Sequence, residues 1–135
     1  QVGQVAPGAV KFRVLGLTQV MHEWMKMATL LIGKPGGLTV TECLTVGLPM
    51  LMFMPIPGQE ERNSDHLLEC GVAAKCNQIT TLAFKVDELL GDPVRLQRMR
   101  ESARILGHPQ AAESVVDTLL NQFNLESIRV PKTDE

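Results

Sequence analysis

The chain has 135 residues, of which 44% are apolar, and a net charge of −2. This is the length of one domain with ample material for a packed core, which excludes a disordered chain, and nothing in the charge balance offers an electrostatic footprint for nucleic acid. The longest uncharged apolar stretch, Leu48 to Pro57, is too short to cross a bilayer. Cys43, Cys70 and Cys76 have no metal-ligand spacing and fall inside apolar patterns, so they read as buried free thiols in a reducing compartment.

Gln1 to Ala9 carries two glycines and Pro7 and reads as loop. Val10 to Val14 alternates apolar and charged residues, which predicts an edge strand with one wet face, closed by Gly16. Thr18 is then the N-cap of a helix through Met27, with Val20, Met21, Trp24, Met27 and Ala28 on its apolar face. Thr29 to Gly33 reads as a short strand. After a glycine turn, a helix runs to the stop Gly47-Leu48-Pro49. Met50 to Met54 has no polar residue, as expected of a strand buried on both faces of a parallel sheet. Pro55-Ile56-Pro57-Gly58 ends it, and Gln59 to Asn63 opens a helix to about Cys70. Leu67, Leu68 and Cys70 form its apolar face, and Gly71 caps it. Val72 to Cys76 is a further strand. Helices follow: one with Leu82, Val86, Leu89 and Leu90, ended by Gly91; one from Asp92-Pro93 to Leu106, stopped by Gly107; and one from Pro109 with Ala112, Val115, Val116, Leu119 and Leu120. The domain occupies 1–124, with a polar tail at 125–135. Alternating strands and helices predict an α/β fold with a parallel sheet.

The stretch Gly33-Lys34-Pro35-Gly36-Gly37-Leu38-Thr39-Val40-Thr41-Glu42 carries the chemistry. A glycine turn between strand and helix lets a ligand approach the backbone, and the helix start offers unpaired N–H groups and a positive dipole end to a phosphate. Glu42, one turn after Thr39, could hold a pair of sugar hydroxyls. A second reading stands beside it, because Thr39 to Glu42 also spells a capping box that needs no ligand. Neither nucleotide-binding glycine fingerprint is present. In an open α/β sheet, ligands bind beyond the carboxyl ends of the strands. Three unusual junctions fall there: Gly16-Leu17-Thr18, Lys34 to Thr39, and Pro55 to Asn63.

Gly36-Gly37-Leu38-Thr39-x-x-Glu42, Gly47-Leu48-Pro49 and Pro55-Ile56-Pro57-Gly58-Gln59-Glu60-Glu61-x-Asn63 together resemble the C-terminal domain of monogalactosyldiacylglycerol synthases and bacterial diacylglycerol glucosyltransferases. They resemble less closely the lipid II N-acetylglucosaminyltransferase. The resemblance covers about Val10 to Leu120. It implies a Rossmann-like parallel sheet flanked by helices, the incomplete C-terminal half of a GT-B fold. The family moves a hexose from a UDP-sugar to diacylglycerol. Carried onto this sequence, Gly36, Gly37, Leu38 and Thr39 would contact the diphosphate and Glu42 the ribose. Gln59, Glu60 and Asn63 would contact the donor sugar, and Leu17, Thr18 and Met21 the base. The resemblance also implies two further strands before the one at Val10, lying between it and the strand at Thr29, and an acceptor domain with the catalytic base and a membrane-binding surface. This chain begins too late to hold them. No catalytic residue, metal site or cofactor is expected within it, the UDP-sugar being the donor substrate. His22, His66 and His108 match no motif and read as surface or structural residues. The implied location is cytoplasmic and peripheral to a membrane, or a plastid envelope. Two alternatives accompany this reading: a nucleotide-binding module without transferase activity, and a nucleotide-sugar 2-epimerase.

Overall fold

The structure, a computed structural model, describes residues 11–123. In chain order its elements are α1 (Met21–Met27), β1 (Leu31–Gly33), α2 (Gly37–Val46), β2 (Met50–Phe53), α3 (Glu61–Glu69), β3 (Ala73–Cys76), a 3₁₀ turn (Ile79–Thr81), α4 (Leu82–Leu90), α5 (Pro93–Leu106) and α6 (Ala111–Gln122). The strands form one parallel sheet in the order β1-β2-β3, with Leu31 opposite Met50 and Met50 opposite Ala73.

The all-apolar sequence of β2 explains its central place. Met50, Leu51 and Met52 are each fully buried, and the period-two alternation of a strand sends them to opposite faces. Met50 and Met52 pack with Val40, Leu67, Val72 and Ala103 on one side. Leu51 packs with Ala74, Cys76, Leu89, Leu96 and Met99 on the other. Each such side chain contributes about 1.5–3 kcal/mol by leaving water. A third cluster, Met25, Cys43 and Leu48, seats α1 on α2.

The helix ends follow local chemistry. Gly47 adopts a left-handed φ of 69° beyond α2, as a glycine C-cap does. Asp92 caps α5 by accepting from the Arg95 N–H at 2.8 Å, with Pro93 at the first helical position. Gly107 ends α5 against α2, where an added Cβ would lie 2.5 Å from the Leu44 carbonyl oxygen, so only glycine fits that crossing. On the surface, Glu88 of α4 accepts from Lys85 and from Arg95 of α5, each at 2.8 Å, and these bonds hold its carboxyl below the usual glutamate range.

Three expectations are corrected. Residues 11–15 form no strand, and Val10 lies outside the described residues. Alternation marks a strand only where a neighbour supplies a hydrogen-bond ladder, and no strand lies beside this segment among the described residues, so Phe12 and Val14 are left 67% and 90% exposed. Thr18 is not the N-cap of α1; its hydroxyl accepts from the Val20 N–H at 3.2 Å, a local turn that precedes the helix. On α1 the buried side chain is Met25, which faces α2, while Val20, Met21 and Met27 are exposed. The last helix expected from the spacing is present as α6, beginning at Ala111, and none of its residues is buried. The loop read over Gln1 to Ala9 and the tail read over 125–135 lie outside the described residues.

Candidate functional site

The glycine turn leaves β1 and enters α2 with a bare helix start. Gly36 is the N-cap, and no side chain caps the helix. Thr39 therefore sits at the third helical position, and the capping box is ruled out. The Gly36 N–H is turned inward, donating to the Lys34 carbonyl at 2.9 Å, and the Gly36 carbonyl receives the Val40 N–H at 2.9 Å. The amides of Gly37, Leu38 and Thr39 are then the first-turn groups that no intrahelical carbonyl reaches. Leu38 is exposed, and an added Cβ at Gly37 would meet nothing within 4 Å, so the approach to these amides is open. This arrangement favours an anion by about 0.3–1 kcal/mol from the dipole alone. Glu42 lies exposed on the next turn and forms no ion pair among the described residues.

The second junction, from β2 to α3, is built from side-chain bonds. Met54 ends the strand at a left-handed φ of 44°, rare for a non-glycine residue. The Glu60 carboxylate accepts the Ile56 N–H at 2.7 Å, and the Glu60 N–H donates to the Ile56 carbonyl at 3.0 Å. The other Glu60 oxygen points at the first junction, 3.7 Å from where a Gly36 Cβ would stand. Asn63, the third residue of α3, donates its amide N–H to the Pro35 carbonyl at 2.9 Å. The two junctions are thereby joined, and the Asn63 carbonyl oxygen is left to accept another bond. Gln59 is exposed in the turn that precedes α3, one residue before its N-cap Glu60.

Of the residues singled out in the sequence, the structure brings Gly36, Gly37, Leu38, Thr39, Glu60 and Asn63 to one rim at the carboxyl ends of the strands. Leu17, Thr18 and Met21 precede or begin α1, with Leu17 fully exposed, and no hydrogen bond joins them to the glycine turn among the described residues. His22, His66 and His108 are exposed, as expected.

Sequence reasoning missed three features. A groove of about 590 Å³ opens on the same rim, lined by Lys34, residues 53–57, Glu61, Lys75 and Asn77. Lys75 was legible as the charged position of an otherwise apolar strand. Pro35 was read as punctuation, whereas its carbonyl anchors Asn63. Ser64 is fully buried with a hydroxyl that has no partner among the described residues, and no sequence signal marks it.

An open parallel sheet with a bare, glycine-capped helix start at its carboxyl rim defines the class of Rossmann-like ligand-binding domains. Residues 2–115 match the model of the Glycosyltransferase family 28 C-terminal domain, and the chain belongs to that family. It is 29% identical over 130 residues to a processive diacylglycerol beta-glucosyltransferase of Bacillus thuringiensis (strain Al Hakam), covering 96% of this chain and 33% of that protein. It is 30% identical over 125 residues to the protein of the same name from Bacillus cereus (strain AH187), covering 93% and 32%. Among solved structures it resembles MurG of Acinetobacter baumannii, with a TM-score of 0.64 and 28% identity over 81% of this chain and 33% of that one. The chain thus spans about a third of the relatives it matches. The expected fold, part of the C-terminal half of a GT-B architecture, is the one observed.

Proposed function

We propose that this chain is the donor-binding part of a glycosyltransferase that moves a hexose from a UDP-sugar to diacylglycerol. The observation that carries the proposal is the uncapped start of α2, whose Gly37, Leu38 and Thr39 amides face open space beside Glu60 and Asn63. The relatives' names supply the acceptor class and the sugar class. In this reading the diphosphate lies on those amides and on the Thr39 hydroxyl. The inward-turned Gly36 N–H stays with Lys34, so Gly36 contributes its shape rather than a donor. Glu42 accepts the ribose hydroxyls. Gln59, Glu60 and the free carbonyl oxygen of Asn63 take hydroxyls of the hexose, and Leu17, Thr18 and Met21 lie toward the base.

The reaction is attack by the lipid hydroxyl on the anomeric carbon as the bond to UDP breaks. Charge then grows on the leaving diphosphate, where preorganised amides stabilise it more than they stabilised the bound donor. The base that accepts the lipid's proton belongs to the rest of the longer protein. The reading calls for no metal or cofactor. It places the protein at a membrane surface, on the cytoplasmic side or on a plastid envelope, because the acceptor is a lipid. No helix among the described residues is long and apolar enough to cross a membrane.

The test has two parts. UDP titrated into the labelled chain should move the amide signals of Gly37, Leu38 and Thr39. The full-length protein should transfer hexose from UDP-glucose or UDP-galactose to diacylglycerol. Unmoved signals in the folded chain at millimolar UDP would overturn the nucleotide site. UDP binding without transfer by the full-length protein would favour a binding module.

A further inference from the structure

The groove at the ends of β1, β2 and β3 is lined by two lysines that form no ion pair among the described residues. We propose that it is a phosphate subsite, with Lys34 and Lys75 as its two cationic arms. Lys34 follows the last residue of β1, and Lys75 sits within β3, so the two flank the end of β2. Strands are about 4.8 Å apart, which puts the two backbones about 10 Å from each other, a gap that two lysine side chains can close around one anion. Neither ammonium forms an ion pair among the described residues, and Lys75 is half-buried. A partly desolvated charge without a partner is costly, and a rigid strand holds it in place, so it favours an incoming anion. Glu61 also lines the groove and forms no ion pair among the described residues, which leaves the lining a net charge of +1, and Asn77 adds an amide donor.

The floor reinforces this reading. It is the 53–57 stretch, whose Met54 is held in the left-handed region while its N–H donates to the Cys76 carbonyl at 3.3 Å. Backbone strain of this kind persists where the surroundings fix it, and it gathers at ligand sites. The proposal does not depend on how the glycine turn is read. The phosphate could arrive on a nucleotide, as a free ion, or on a lipid headgroup. All three present the same chemistry to the lysines.

The experiment follows backbone amide shifts at Lys75 and Asn77 in the labelled 135-residue chain. The probes are sodium phosphate, UDP and dihexanoylphosphatidylglycerol below its micellar concentration. Sodium chloride at matched ionic strength and dihexanoylglycerol are the controls. A phosphate-bearing probe should give saturable shifts, weakened about tenfold in the K34Q/K75Q double variant and strengthened in E61Q. Circular dichroism and the melting temperature should stay unchanged in these variants. A response to phosphate and UDP alone assigns a soluble phosphate. A response to the phospholipid alone assigns a headgroup. The proposal falls if no probe gives a saturable shift, if either control reproduces it, or if the double variant binds as well as the parent. A shift at Gly37 with none at Lys75 would defeat this proposal and leave the nucleotide site standing; the converse would do the reverse.

Discussion

The two junctions that meet at the rim are held together by one bond, Asn63 to Pro35, yet they are made differently. The β1–α2 turn uses glycines and leaves its helix start bare. The β2–α3 loop uses prolines, a strained Met54, and a carboxylate that closes on its own backbone. Neither helix start has a side-chain cap, but α3 begins with the acidic Glu60 and Glu61, which repel an anion, whereas the first turn of α2 carries no acid; nothing local fixes the orientation of that α2 start. The second junction supplies that orientation from outside. In the proposed function one junction binds and the other positions.

The largest expected effect comes from cutting the link between them. Asn63→Asp keeps the shape of the side chain and its acceptor oxygen but loses the donor to Pro35. A buried carbonyl left unpaired costs about 1–3 kcal/mol. The melting temperature should fall by about 3–5 °C per kcal/mol in a domain of this size, and UDP should bind more weakly. Weaker UDP binding with unchanged melting would mean that Asn63 touches the ligand and does not hold the turn.

Removing Glu42 tests the binding junction from its ligand side. This carboxylate is exposed and caps nothing, so Glu42→Ala should leave melting within about 0.5 kcal/mol of the parent. UDP affinity in the full-length protein should fall about tenfold, as two ribose hydroxyls lose their acceptor. Unchanged affinity would remove Glu42 from the site.

Gly37→Ala should separate binding from stability by sign. Its Cβ meets nothing within 4 Å and its φ is not left-handed, so alanine fits. The helix should gain about 0.4–1 kcal/mol from the loss of unfolded-state freedom. The same methyl stands where the diphosphate would approach the amides, so UDP should bind several-fold more weakly. A rise in melting temperature with full UDP affinity would place the diphosphate elsewhere.

Much of this was legible because it is local. The apolar run Met50 to Phe53 announced a central strand, and Asp92-Pro93 and Gly107 marked both ends of α5. The glycine turn was legible as a candidate anion site, with the capping box as its rival, and the helix start at Gly37 removes the capping box. What was not legible depends on distant partners. The strand expected up to Val14 needed a neighbour that alternation cannot reveal. Met25 is buried because α2 lies beneath it. The Asn63–Pro35 bond spans 28 positions of sequence, and no spacing rule predicts it.

The smallest expected effect lies in the two helices that leave these junctions, each of which carries a cysteine. Cys43 of α2 is 1% exposed, and burial, with a lesser push from the neighbouring Glu42 charge, raises its thiol to about 11. Cys70, which caps α3, is half-buried. Only the thiolate reacts, and at pH 8 about one in a thousand Cys43 side chains would carry it. Iodoacetamide should therefore label Cys70 well before Cys43, and Glu42→Gln should not change that order, because it removes only the lesser cause. The same shift has a stability consequence. As pH rises past the ordinary thiol value of 9.0, the unfolded chain ionises first, so the contribution of a neutral Cys43 is complete below 9.0 and is lost by about 11. Urea midpoints measured from pH 8 to pH 11 should fall less steeply for Cys43→Ala than for the parent. Equal slopes would mean that the thiol reaches water, and that α2 is less firmly packed behind its bare start than Met25, Cys43 and Leu48 make it.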